Sequence, residues 1–120
     1  MTLKERETAK KYAYAYMSIS GENDEEKLKN IKEIYRYIKE PEVLYNYLRY
    51  PTILKNIKHL LIAKVIPQNL LKTKAYGLLT ALIDSKNIHL LDEIINYCEE
   101  IMFEKSGKLS VKVYSRYSLK

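Results

Sequence analysis

The stretch from residue 70 to 83, LLKTKAYGLLTALI, constrains the fold most, because its apolar residues form two stripes at helical spacing. One stripe comprises Leu71, Ala75, Leu78 and Leu82, and the other comprises Tyr76, Leu79 and Ile83. A surface helix of a globular protein has a single apolar stripe about 100° wide, so this helix is predicted to lie at the centre of a helical bundle. Gly77 lies in its middle, although a glycine there costs roughly 1 kcal/mol relative to alanine. Two interpretations remain open: tight packing within the chain, or one face left open for a partner.

The composition limits the class of protein. A chain of 120 residues, 47% of them hydrophobic, is long enough for one domain with a real core, or for one domain plus a fragment. No apolar run reaches the roughly 18 residues of a membrane span. The first twelve residues contain no apolar signal region, so no secretory signal is predicted. The single cysteine, Cys98, excludes an internal disulfide and is typical of a reducing compartment.

The net charge of +6 is distributed unevenly along the chain. Residues 1–42 are balanced, whereas residues 43–83 contain six basic side chains and no acidic one. Residues 84–104 contain six acidic side chains and one basic one, and residues 105–120 contain five basic side chains and no acidic one. A basic protein binds nucleic acid or an acidic protein surface, and charge alone does not choose between them.

The pattern along residues 1–106 predicts an all-α, six-helix bundle. Thr2 and Glu5 form a capping-box pattern at the start of the first helix, and Asn23 or Asp24 caps the second. Pro41, Pro51 and Pro67 separate the next elements. The fourth helix is predicted to begin at a Thr52 cap and to bury Ile53, Ile57, Leu60 and Leu61. The helices are expected over residues 2–20, 23–40, 43–48, 52–64, 70–83 and 88–105, and the apolar residues of the last are Leu91, Ile94, Ile95, Cys98, Ile101 and Met102.

After Gly107 the period of the pattern changes to two, because Leu109, Val111 and Val113 alternate with polar residues and tyrosine. This pattern predicts a strand, and a single strand is not stable alone. We therefore divide the chain into a six-helix bundle over residues 1–106 and the first strand, or a linker, of a truncated second domain over residues 107–120.

Nothing in the sequence predicts catalysis. The two histidines, His59 and His89, each lie alone in a separate helical stretch, and Cys98 falls on an apolar stripe. Neither a catalytic residue nor a bound cofactor or metal is therefore expected. Tyrosine is abundant, with 12 residues, and Tyr12 and Tyr16 lie one turn apart on the first helix, where they could line a groove for a partner helix.

The chain resembles the delta subunit of bacterial F-type ATP synthases, the counterpart of the mitochondrial oligomycin-sensitivity-conferring protein. Residues 11–16, KYAYAY, are similar to the basic-Tyr-Ala opening of that family, and residues 48–53, LRYPTI, followed by Lys58, are similar to its Leu-x-x-Pro-x-Ile motif. Residues 78–94 are similar to its long helix, turn and following helix, and residues 113–119 to its Val-x-Ser strand. The chain departs from the pattern at Asn87, where many members have arginine, and at Arg116, where they have alanine.

The resemblance implies a non-catalytic stator subunit of the peripheral stalk, on the cytoplasmic face of the bacterial inner membrane and without direct membrane insertion. It implies that a groove between the first and fifth helices binds the amphipathic amino-terminal helix of an alpha subunit. The b subunit of the stalk would bind only through the missing carboxy-terminal domain, and no small-molecule substrate is expected. The residues expected in the groove are Tyr12, Ala15, Ile19, Gly77, Leu78 and Ala81.

An alternative function is RNA binding by a basic helical module. Aromatic rings beside basic groups can stack on bases and hold phosphates, and Tyr45, Tyr47 and Tyr50 surround Arg49 in the block without acidic residues. This alternative predicts an affinity that falls steeply with salt concentration. Its binding residues would be Arg49, Lys55, Lys58, Lys64, Lys72 and Lys74.

Overall fold

The protein is seen in a computed structural model that describes residues 2–106, and the regular secondary structure of this part of the chain is all helical. The predicted strand and the proposed second unit, residues 107–120, lie outside the described residues. The helices are α1 (Leu3–Met17), α2 (Asp24–Lys39), α3 (Glu42–Arg49), α4 (Lys55–Val65), α5 (Gln68–Leu71), α6 (Lys74–Asp84) and α7 (Leu91–Ser106), with a 3-10 turn at Ile88–Leu90 before α7.

The N-termini of α1 and α2 confirm the capping prediction. The backbone N–H of Glu5 donates to the Thr2 hydroxyl at 3.1 Å, and the Glu5 carboxylate accepts from the Thr2 backbone N–H at 3.0 Å. The Asn23 side chain accepts from the backbone N–H of Glu26 at 2.7 Å. Each cap satisfies a backbone donor that has no partner within its helix.

The core lies between α1, α2, α6 and α7, with α1 packed along α7 and α2 packed against both α6 and α7. The predicted periodicity of α7 is confirmed, with Met102 half-buried at its edge. The residues that these helices bury include Ala9, Ala13, Tyr16, Met17, Leu28, Ile31, Ile34, Ile38, Ala75, Leu79, Leu82, Ile83, Leu91, Ile94, Ile95, Cys98 and Ile101.

The predicted fifth helix is divided in two, so α5 is a single turn and α6 is the central helix. The break is at Thr73, whose backbone is extended and whose hydroxyl donates to the Leu70 carbonyl at 2.7 Å. This bond satisfies a carbonyl at the end of α5 and turns the chain before α6 begins. As a result Leu70 is buried and Leu71 is half-buried, the reverse of the predicted stripe.

The prediction for the fourth helix is wrong in its start and in its orientation. α4 begins at Lys55 after Leu54, which makes no side-chain cap bond, and Thr52 lies in a turn. It buries Lys58 and Ile62 against the bundle, whereas Ile57 and Leu60 are exposed. The apolar pattern could not fix the orientation, because α4 carries apolar residues on both of its faces.

The α6 C-terminus forms a Schellman motif with a lysine at the position where glycine is usual. Lys86 has φ +62°, its N–H donates to the Ile83 carbonyl at 3.2 Å, and the Asn87 N–H donates to the Leu82 carbonyl at 2.8 Å. We expect Lys86→Gly to raise the free energy of unfolding by about 1 kcal/mol, because glycine adopts this left-handed conformation without strain. Urea denaturation measures the change. Lys86→Ala, which loses the same charge but keeps the strain, should gain nothing; an equal gain from both variants would contradict the explanation.

Cys98 lies within the core, and its burial raises the pKa of the thiol to about 12. The thiolate is the reactive form of cysteine, so the native protein should react with a water-soluble thiol reagent only when it unfolds. We expect the labelling rate at neutral pH to follow the unfolded fraction as urea is added. Complete labelling within seconds in the absence of urea would contradict this placement of Cys98.

Candidate functional site

A groove of about 500 Å³ runs between α1 and α6. The structure brings all six residues predicted for the groove into its lining, together with Tyr16, which the sequence also indicated, and three residues that it did not indicate. Only two of the ten carry a charge. The lining consists of Tyr12, Ala15, Tyr16, Ile19, Lys72, Thr73, Lys74, Gly77, Leu78 and Ala81.

Gly77 is exposed in this groove, in the middle of α6. Apart from its two chain neighbours and the backbone of α6 itself, no atom of the described residues lies within 4 Å of the position that a Cβ would occupy there. Packing inside residues 2–106 therefore does not require a glycine at this position. Ala15 and Ala81 are also exposed, so the groove has small side chains on both of its helices.

Hydrogen bonds at one end of the groove connect α1 to the turn after α6. The hydroxyls of Tyr12 and Ser85 lie 2.7 Å apart, and the Asn87 Nδ2 donates to the Tyr12 hydroxyl at 3.3 Å and to Ser85 Oγ at 3.1 Å. Ser85 Oγ also lies 2.9 Å from the Ala81 carbonyl, to which it donates, so Tyr12 is the donor to Ser85. This network fixes the distance between the two helices, and the sequence pattern of the turn did not indicate it.

The other end of the groove is basic and is closed by the loop between α1 and α2. Lys72 and Lys74 lie there, and the backbone N–H of Lys74 donates to Glu22 Oε2 at 3.1 Å. Glu22 thus caps α6 from a different part of the chain, because the Thr73 hydroxyl is engaged with α5. Gly21, with φ +104°, provides the left-handed turn that brings this loop to α6.

A buried lysine positions the loop that carries Ile19 into the groove. Lys27 is only 2% exposed, and its Nζ donates to the carbonyls of Met17 at 2.7 Å and Ile19 at 2.6 Å. The Tyr16 hydroxyl in turn donates to the Lys27 carbonyl at 2.6 Å. Sequence reasoning missed Lys27, although this residue lies one turn before Ile31 on the buried face of α2.

The structure does not bring the six basic residues of the RNA-binding alternative to a common surface. Lys58 is 5% exposed, and its burial lowers its pKa. Lys72 and Lys74 line the groove instead. Arg49 lies over the ring of Tyr45, with 5.6 Å between the guanidinium carbon and the ring centroid. Tyr47 is exposed.

Both histidines pair with a carboxylate from a distant part of the chain, which the sequence spacing did not indicate. His59 Nε2 lies 2.7 Å from Asp84 Oδ1, and His89 Nε2 lies 3.1 Å from Glu5 Oε2. Within residues 2–106, no three histidine, cysteine or carboxylate side chains converge as metal ligands. In the same part of the chain, no helix has the length and apolar character needed to cross a lipid bilayer.

A second concavity of similar volume lies along α2, but its lining is of a different kind. Five of its eight lining residues are charged, among them Glu25, Lys29 and Lys32. Such a lining is typical of a solvated surface, whereas ligand and partner sites are mostly apolar with few polar groups. The groove between α1 and α6 is therefore the better candidate for a binding site.

Comparison with known proteins gives one match. The family model described as "ATP synthase delta (OSCP) subunit" matches residues 8–120, which is nearly the whole chain. No curated protein and no solved structure matches the chain.

Proposed function

The chain belongs to the ATP synthase delta (OSCP) subunit family, and from this we propose that its α1–α6 groove binds the amphipathic amino-terminal helix of an alpha subunit. Members of this family are structural subunits of the peripheral stalk, a membrane-associated part of ATP synthase. By gripping that helix, the domain would stop the catalytic head from turning with the rotor. The role is mechanical, and it needs no catalytic residue or cofactor.

The observation that carries this proposal is the empty space over Gly77. A glycine inside a helix costs roughly 1 kcal/mol relative to alanine, and no contact among the described residues offsets that cost. Glycine permits another backbone to come close, and packed helices have axes 8–10 Å apart. A helix lying across Gly77, with Ala15 and Ala81 on either side, makes use of this space.

The lining suits the apolar face of such a helix. A helix in a groove presents anchors at i, i+3, i+4 and i+7. Ile19, which is 38% exposed, offers aliphatic surface to them, whereas Leu78 lines the groove but is mostly buried in the core, at 8% exposed. Each buried anchor contributes about 1.5–3 kcal/mol, less the free-energy cost of association. Lys72 and Lys74 favour a partner that is acidic where it passes them, which sets its direction in the groove and speeds the encounter.

The remaining contacts of the stator belong to the same proposal. We assign binding of the stalk b subunit to the family's carboxy-terminal domain, outside the described residues. We place the protein peripherally, on the cytoplasmic face of the bacterial inner membrane.

A pair of substitutions at Gly77 tests the proposed role of the groove. Gly77→Ala should raise the free energy of unfolding by about 0.5–1 kcal/mol, because the space is open and alanine has the higher helix propensity. Gly77→Leu should fold as well, yet weaken binding of an alpha-subunit helix about 100-fold, because the leucine occupies the place of the incoming backbone. Urea denaturation and calorimetric titration measure the two effects.

The matched control is Ala63→Leu, which enlarges a small, exposed helical residue of α4 outside the groove. This variant should bind the helix like the unsubstituted protein. Wild-type affinity in Gly77→Leu would show that the helix binds elsewhere.

A further inference from the structure

The helices α3 and α4 expose a second set of apolar side chains, away from those that they bury. On α3 and its C-cap, Val43, Tyr47 and Tyr50 follow at i, i+4 and i+7, and all three are exposed. At the start of α4, Leu54, Ile57 and Leu60 follow at steps of three residues and are also exposed. These six side chains, which we term the α3–α4 apolar surface, account for six of the ten large hydrophobic residues exposed within residues 2–106.

The arrangement on α4 reverses the usual preference of side chains for the interior. Lys58 is 5% exposed, whereas Leu60 is 62% and Leu54 63% exposed. Each apolar square ångström left in water forgoes about 25 cal/mol, and clustered exposed apolar residues mark interaction surfaces in soluble proteins. Leu54 and Leu60 therefore leave most of their apolar area outside the core of residues 2–106.

The charge around this surface indicates the chemistry of its partner. Arg49, Lys55 and Lys64 are exposed among the apolar residues. The acidic side chains on or in contact with these helices include Glu42 at the start of α3 and Asp84, which is paired with His59 of α4. Lys64 follows Ile57 and Leu60 along the same face of α4. Burial is the main cause that lowers the pKa of Lys58, and the nearby charges of Lys86 and Lys55 lower it further, so these positive charges are close enough to repel one another. An acidic partner would relieve this repulsion.

We propose that the α3–α4 apolar surface is a second docking site, which binds an acidic amphipathic helix of a protein partner. Aliphatic side chains set in helical registers fit the apolar face of a helix, and the lysines meet carboxylates at its borders. Nucleic acid is a poorer match, because stacking on bases needs aromatic rings and four of the six side chains are aliphatic. A lipid surface is also a poorer match, because an interfacial helix exposes its polar face to water, whereas the opposite face of α4 is packed into the bundle.

The test is a titration of the protein with two synthetic amphipathic helices of about 18 residues, or about five turns. Both have leucine at i, i+3, i+4 and i+7; one has glutamate at its other positions and the other has lysine. Backbone amide shifts in NMR spectra locate binding, because amides of α3 and α4 report this surface and that of Gly77 reports the groove. We expect the acidic peptide to shift the amides of α3 and α4 saturably, and the basic peptide to leave them unchanged.

Substitutions at two exposed leucines provide the matched comparison. Leu60→Glu places a negative charge on the surface, which repels the acidic peptide, and should weaken binding of this peptide about tenfold. Leu3→Glu changes a leucine that is 73% exposed at the start of α1, and should have no effect. Circular dichroism confirms that both variants fold.

Several outcomes would overturn the inference. Equal binding of both peptides would do so, and so would equal effects of the two substitutions. Amide shifts confined to the groove would also overturn the inference, but they would leave the proposed function intact. Preferential binding of an RNA oligonucleotide or of anionic phosphatidylglycerol vesicles at α3 and α4 would likewise overturn it. So would self-association in sedimentation that involves this surface in place of peptide binding.

Discussion

Replacing Ala81 with arginine should reduce binding of the alpha-subunit helix at least about 100-fold, which corresponds to about 2.7 kcal/mol. Ala81 is exposed in the lining of the groove, so a long side chain there enters the space of the incoming helix. Binding would also press an unpaired guanidinium against apolar side chains, and burying a charge without a partner is costly. Arginine and alanine are both good helix formers, so the helical circular dichroism should not change.

The control for this variant is Ala63→Arg, which adds the same side chain to an exposed position of α4 outside the groove. Calorimetric titration with the alpha-subunit helix compares the two variants. Ala63→Arg should bind normally. Wild-type affinity in Ala81→Arg would place the helix outside the groove between α1 and α6.

Replacing Lys27 with methionine should lower the free energy of unfolding by about 2–3 kcal/mol. The amine of Lys27 donates to the carbonyls of Met17 and Ile19 at the end of α1. Methionine keeps most of the buried volume but cannot donate, and an unsatisfied buried polar group costs about 1–3 kcal/mol. Lys105 Nζ lies 3.4 Å from the Met17 carbonyl and satisfies it in part. Urea denaturation measures the change.

Lys29→Met is the matched control, because Lys29 is exposed on the same helix and only two residues away. Its stability should stay within about 0.5 kcal/mol of the unsubstituted protein. Because Lys27 holds the backbone of Ile19 beside the groove, Lys27→Met should also weaken partner binding at temperatures where it is folded. If Lys27→Met proves as stable as Lys29→Met, the buried amine does not hold the end of α1.

Much of the fold could be predicted because its strongest elements combine a cap with a regular period. α1 and α2 have both, and α7 has a clean apolar stripe, so their positions followed from the sequence. The orientation of α4 could not be predicted, because α4 has two apolar faces and its packing against the other helices decides which of them is buried. The separation of α5 from α6 involves local bonds of Thr73 to the Leu70 carbonyl and a bond from the Lys74 N–H to the Glu22 carboxylate of a distant loop, and Thr73 lies in a stretch whose apolar period continues across it.

The candidate site was partly predictable for similar reasons. Small residues among apolar ones, at Ala15, Gly77 and Ala81, are visible in a sequence once the two helices are paired. The basic end of the groove was not predicted, because Lys72 and Lys74 reach it only through the break at Thr73. Lys27 could not be found from polarity, since a buried lysine is recognisable only from the carbonyls that surround it.

The central claim is that the groove binds an apolar helix, and calorimetric titration tests it most directly. The titrant is a synthetic peptide of the amphipathic amino-terminal helix of an alpha subunit, at low and at high salt. We predict saturable one-to-one binding that changes little with salt, because apolar contacts in the groove dominate its free energy. An absence of binding to this peptide, together with strong and salt-sensitive binding to RNA, would contradict the account.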